Sequence, residues 1–89
     1  MSNNYQVNLV ARNEGIEYCD ENGVYRFDIS LKDNEWTIFI PGSKGESYKA
    51  YELSDKEKSV IIPRMIDFLK NIKWFGLIRK KYTVKLREK

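Results

Sequence analysis

Three groups of residues in this chain have types and spacings that could do chemistry. The first is a carboxylate pair, Glu17 and Asp28, which stand directly opposite each other if Asn22-Gly23 is the two-residue turn of a hairpin. Two carboxyl groups about 5 Å apart are what a retaining glycosidase uses. A bare sheet face offers no cleft, however, and Arg26, diagonal to Glu17 and next to Asp28, reads better as the cation that neutralises both. The spacing of a calcium-binding loop is missing as well. The second group is Cys19, placed opposite Arg26 by the same register; a neighbouring cation favours the thiolate. With no histidine and no second cysteine in the chain to complete the chemistry, Cys19 reads as a passive strand residue.

The third group is the C-terminal stretch. Residues 70–89 hold eight Lys and Arg against one Glu, a net +7, whereas residues 1–69 hold eight against twelve Asp and Glu, a net −4. Arg79, Lys80, Lys81, Lys85 and Arg87, with Trp74 among them, have the ingredients of a nucleic-acid surface, cations for phosphates and aromatics for bases. The competing reading is structural. Lys70 and Lys73 suit a helix C-terminus, Trp74 and Phe75 a core edge, and a lysine-rich strand face discourages edge pairing. None of the standard nucleic-acid motifs is present. The segment Gly42-Ser43-Lys44-Gly45-Glu46-Ser47 does not meet the spacing of a phosphate-binding loop and reads as a plain loop.

Composition narrows the function classes further. The absence of histidine removes the commonest general base, nucleophile activator and zinc ligand together, so the chain reads as a non-enzyme with no cofactor and no metal. One cysteine in a domain of 89 residues fits a reducing, cytoplasmic setting. The expectation is a chain with neither an export signal nor a membrane span. Its length suits one domain over residues 1–89.

The elements that would position these residues are legible from pattern. Flanking Asn22-Gly23, the expected register pairs Tyr18 with Phe27 and Ile16 with Ile29. A four-residue loop at 32–35 then sets Leu31 against Trp36 and Ile29 against Ile38. Tyr25, Phe27, Ile29, Leu31, Trp36, Ile38 and Ile40 form the apolar side of this meander. Glu17, Arg26, Asp28, Thr37 and Phe39 form its wet side, and Pro41-Gly42 is expected to end the third strand. Residues 5–9 alternate as an edge strand, and 48–53 read equally as a short strand or an irregular connection. Ser54-Asp55-Lys56-Glu57 is a capping box that opens a helix. Its apolar stripe runs Val60, Ile61, Ile62, Met65, Ile66, Leu69 and Ile72. Pro63 predicts a kink or two short helices meeting at Ile62-Pro63, with the helical run ending near Trp74-Phe75-Gly76. Residues 81–87 alternate as a final strand.

The layout from Arg12 to Leu86 resembles small bacterial α+β immunity proteins of polymorphic-toxin systems. The matching features are the strand at Ile16-Glu17-Tyr18, the turn at Asn22-Gly23 and the strand Phe27-Asp28-Ile29. After them come Ile38-Phe39-Ile40-Pro41-Gly42 and a helix opened by Leu53-Ser54-Asp55-Lys56-Glu57-Lys58. The resemblance implies an α+β fold that binds and neutralises a toxin; contacts in such proteins vary too much to carry any residue over. The expected architecture is therefore an antiparallel β-meander covered on one face by a single long helix, with a C-terminal strand. The leading function is protein binding through Glu17, Arg26, Asp28, Thr37 and Phe39. Nucleic-acid binding through residues 70–89 is the alternative, and an exposed edge strand offers a place for two copies to pair.

Overall fold

A computed structural model of the protein describes residues 4–12, 14–45, 49–72 and 82–88. In chain order the elements are β1 (Gln6–Val10), β2 (Gly15–Asp20), β3 (Gly23–Lys32), β4 (Glu35–Lys44), β5 (Lys49–Tyr51), α1 (Asp55–Lys70) and β6 (Thr83–Glu88). Strands β1 to β5 form an antiparallel meander in sequence order, and β6 joins the same sheet by pairing parallel to β4. The helix lies on one face. Its buried residues Ile61, Met65 and Leu69 share a core with Ile16, Tyr18, Tyr25, Phe27, Ile29, Trp36 and Ile38 of the strands, closed by Leu53 and Tyr82. The expected α+β meander with one helix and a C-terminal strand is the fold observed.

Details of register differ in ways that local chemistry explains. The β2–β3 turn is Glu21-Asn22 rather than Asn22-Gly23, so Tyr18 pairs with Tyr25 and Ile16 with Phe27. Asp20 causes the displacement: its Oδ1 accepts the Asn22 N–H at 2.7 Å, closing a side-chain-to-backbone turn one residue early. Gly23 follows at φ +136°, a conformation other residues rarely take. The left-handed two-residue turn sits instead between β3 and β4, where Asp33 and Asn34 have φ of 52° and 64° and Lys32 pairs with Glu35. The expected pairings of Leu31 with Trp36 and Ile29 with Ile38 are present.

Pro41-Gly42 does not end the third strand of the meander; β4 continues to Lys44. Along the edge away from β3, β4 pairs with β6 from Glu35 to Ile40 and with β5 from Gly42 to Lys44. On its β3 side the register shifts between Arg26↔Ser43 and Asp28↔Phe39, leaving Ile40 to Gly42 unpaired there. Pro41, which has no N–H to give, therefore falls where neither neighbour requires one. Of the loop expected over 42–47, residues 42–44 belong to β4, and 46–47 lie outside the described residues.

The helix begins as expected. Ser54 Oγ accepts the Glu57 N–H at 3.1 Å and the Ser54 N–H donates to Glu57 Oε1 at 2.9 Å. It runs unbroken through Pro63, not as two helices, and stops at Lys70 with Asn71 as its cap. The Asn71 side chain donates to the Asp67 carbonyl at 2.8 Å and so closes the helix before the Trp74-Phe75-Gly76 expected to end it, which lie outside the described residues. Val60, placed in the apolar stripe by spacing, is 37% exposed.

Gly42 is buried where β4 passes β3, and a Cβ there would overlap the Arg26 carbonyl oxygen and the Phe27 ring. Because one of those atoms is backbone, the strand has to move. Gly42→Ala should lower stability by about 3 kcal/mol, read as a fall in the urea midpoint at unchanged slope.

Candidate functional site

The face of the sheet away from the helix carries all five residues expected to bind a protein. Pairing lays them out in cross-strand rows. One row runs Asn8, Glu17, Arg26, Ser43, Ala50 across β1 to β5. The next runs Val10, Gly15, Asp28, Phe39, Arg87 across β1, β2, β3, β4 and β6. A third holds Ser30, Thr37 and Lys85.

The expected carboxylate pair is not formed. The two-residue slip of the hairpin puts Glu17 opposite Arg26, and Asp28 opposite Gly15. Arg26 clasps one oxygen of Glu17, with Nη2 at 2.8 Å and Nε at 2.9 Å from Oε2. Glu17 is thus the acceptor of an ion pair, and the glycosidase-like geometry does not arise. Cys19 likewise faces Val24 rather than Arg26. Thr37, expected in water, is buried at 7% exposure, while Phe39 is half-buried.

Between the first two rows the face is hollow. The unpaired stretch of β4, together with small residues at Ala11, Gly15, Gly42, Ser43 and Ala50, leaves an open concavity of about 720 Å³ rimmed by Glu14, Arg26 and Asp28. Two residues at the nearby β1–β2 turn, Ala11 and Arg12, hold left-handed φ angles of 51° and 55°.

Of the residues expected to bind nucleic acid, Trp74, Arg79, Lys80 and Lys81 lie outside the described residues. Lys85 and Arg87 are described, and parallel pairing of β6 sets them opposite Thr37 and Phe39 on the same outer face. Lys85 Nζ is bound to Glu35 at 3.0 Å. Among the described residues no three His, Cys, Asp or Glu side chains come together as a metal site, and no helix is long and apolar enough to cross a membrane.

Pattern reasoning missed a second cluster, on the helix side. Tyr5, Tyr18, Tyr25 and Tyr51 form a ladder with ring centroids 5.8, 6.0 and 5.9 Å apart. Three of its four hydroxyls, those of Tyr18, Tyr25 and Tyr51, are hydrogen-bonded. Tyr25 Oη donates to Glu57 Oε2 and Tyr51 Oη to Glu57 Oε1, each at 2.8 Å. Tyr18 Oη donates to Asp20 at 2.7 Å and accepts from Arg64 Nη1 at 2.7 Å. Arg64 also covers the Tyr5 ring, and Lys44 lies 5.0 and 4.9 Å from the centroids of Tyr25 and Tyr51. Burial, and then the bond to Glu57, raises the Tyr25 hydroxyl above its ordinary value; the Glu57 bond raises Tyr51; burial and Asp20 raise Tyr18. At neutral pH these hydroxyls stay protonated donors and act as neither bases nor nucleophiles. The ladder fastens the helix to the sheet. The signal that could have revealed it is the hairpin register itself, since pairing Tyr18 with Tyr25 brings the two middle rings together.

No family model matches this chain, and neither characterised proteins nor solved structures give a match.

The Ser54 N–H, aided by the Tyr25 and Tyr51 hydroxyls, holds the Glu57 carboxyl at about 2 against an ordinary 4.5, with partial burial opposing. A folded-state value below the unfolded one gives stability that is present above the unfolded value and lost as pH falls. The protein should therefore weaken between about pH 4.5 and pH 2. Glu57→Gln should remove part of that slope, which urea titrations of both proteins across the window will read; an identical slope would mean that Glu57 is not the titrating group.

Proposed function

We propose that this protein is a non-enzymatic binding module that engages a protein partner through the outer sheet face. One observation carries the reading. Phe39 sits half-buried between Asp28 and Arg87, in the row beside an ion-paired Arg26, and Asp28 and Arg26 in turn rim an open concavity, on a face that no described element covers. An aromatic anchor flanked by charged side chains, with an ion-paired Arg beside it, is the composition of a protein-binding patch, in which aromatic and Arg residues contribute most of the affinity. The concavity is wide enough for a protruding side chain or loop tip of the partner. The resemblance in layout to bacterial immunity proteins favours a toxin as that partner, and the single cysteine favours a reducing, cytoplasmic setting.

The nucleic-acid reading is weaker at the residues described. Lys85 is ion-paired with Glu35 at the surface, and β6 holds Lys85 and Arg87 against Glu88, a net of +1. The two readings differ in their response to salt, because binding driven by phosphate contacts weakens steeply as salt rises.

The test is capture of partners from native lysate after nuclease treatment, at low and high salt, with wild type, Phe39→Ala, Arg26→Ala and a Lys70→Ala control on the helix. One stoichiometric protein should be retained by wild type and by the control in both salts. Truncating Phe39 should weaken its binding by about 2 kcal/mol, roughly thirtyfold. Loss of all captured material on nuclease treatment, or equal binding by all four proteins, would overturn the reading.

A further inference from the structure

The sheet has three edges among the described residues, and they are unequally protected. The free edge of β5 is three residues long, and that of β6 carries Lys85, Arg87 and Glu88. Short length and charge are the usual defences against edge-to-edge pairing. The third edge, β1, has neither. Its sequence Gln6-Val7-Asn8-Leu9-Val10 contains no charged residue, no proline and no bulge, and its register with β2 is regular from end to end. Every other strand carries at least one charge.

We propose that β1 is a self-association edge, pairing antiparallel with β1 of a second copy about a two-fold axis at Asn8. The register that uses all five residues sets Val7 against Leu9 of the other copy on the helix side. On the outer side it sets Gln6 against Val10, and Asn8 against Asn8. Apolar meets apolar beside the core, since Val7 and Leu9 already pack against it, and an uncharged polar pair lies on the axis. Two-fold pairing is isologous, so the contact closes at two chains. The result is one continuous sheet with both helices on the same side. The other edges fit a second copy poorly: β5 is too short, and pairing of β6 with itself would bury charged side chains against one another.

The seam is small. Five residues bury much less than the roughly 1,200–2,000 Å² of a stable interface, so the dimer forms reversibly and only as concentration rises.

Asn8 is exposed and lies on the axis, which makes introduction of a charge there a direct probe. Sedimentation of the wild-type chain should show the mass climbing from one chain toward two with concentration. Asn8→Lys and Asn8→Glu should each stay at one chain, their circular dichroism unchanged, because like charges meet directly across the axis. An equimolar mixture of the two variants should recover the two-chain species. Arg26→Ala and Phe39→Ala, away from the seam, should sediment like wild type, which separates this outcome from that of the partner-binding face. A wild-type chain that remains single at the highest concentration reached would overturn the proposal, as would self-association of Asn8→Lys equal to wild type.

Discussion

The sheet depends on one strand that must satisfy three neighbours. β4 pairs with β3 on one side and with β6 and then β5 on the other; the first pairing breaks over Ile40–Gly42 and the second changes partner at Pro41. Proline is the residue type that a central strand tolerates least, because it cannot donate to the ladder. Here it occupies the one stretch where no donation is called for. Gly42 then lets the β3 backbone and the Phe27 ring pass where a side chain would overlap them. Between its two registers with β3, β4 gains two residues, from Phe39 to Ser43 against Asp28 to Arg26. An even number preserves the alternation, so Trp36 and Ile38 before the break, and Lys44 after it, all face the helix. The hollow on the outer face is the consequence of the same break.

The helix illustrates how tertiary contacts override a local penalty. An interior proline costs about 3 kcal/mol in a helix. Pro63 and Ser59, whose carbonyl loses its intrahelical donor, are both exposed, so water can take that donor's place. On the opposite side Ile61, Met65 and Leu69 are buried, and burial of side chains this large is worth roughly 1.5–3 kcal/mol each. Glu57 adds a fixed point at the first turn by serving three donors at once: the Ser54 backbone, Tyr25 and Tyr51. A helix held at its first turn and along its buried stripe has no reason to divide at the proline.

The elements were legible because their signals are local. Alternation marked the strands, and the capping box marked the helix start to the residue. The two hairpin turns show where such reading stops. Asn-Gly is the stronger turn dipeptide, yet the left-handed turn formed at Asp33-Asn34, while Asp20 pulled the other turn one residue toward the N-terminus. The slip changed each partner across β2 and β3 but not the faces, because it moved the pairing by two. The apolar side was therefore read correctly, and the Glu17–Asp28 and Cys19–Arg26 pairs, which depend on the partner and not the face, were not. Thr37 and the tyrosine ladder escaped for a related reason. Burial of a threonine and convergence of rings from three strands and the residue before β1 are set by neighbours distant in sequence.

The same distance explains why two candidate sites were read where the structure has one face. Thr37 and Phe39 stand more than forty residues before Lys85 and Arg87 in the chain, and by pattern they belong to different functions. Parallel addition of β6 to β4 brings them into register, with Lys85 opposite Thr37 and Arg87 opposite Phe39. Their chemistry changes on meeting. Lys85 finds Glu35 and ceases to be a free cation, while Arg87 becomes a polar neighbour of an apolar ring. With Arg26 and Lys85 each in an ion pair beside the half-buried Phe39, the proposed partner is a protein rather than a polyanion, which rewards uncompensated cations. Such a partner would exclude water from Phe39 while leaving those ion pairs at a solvated rim.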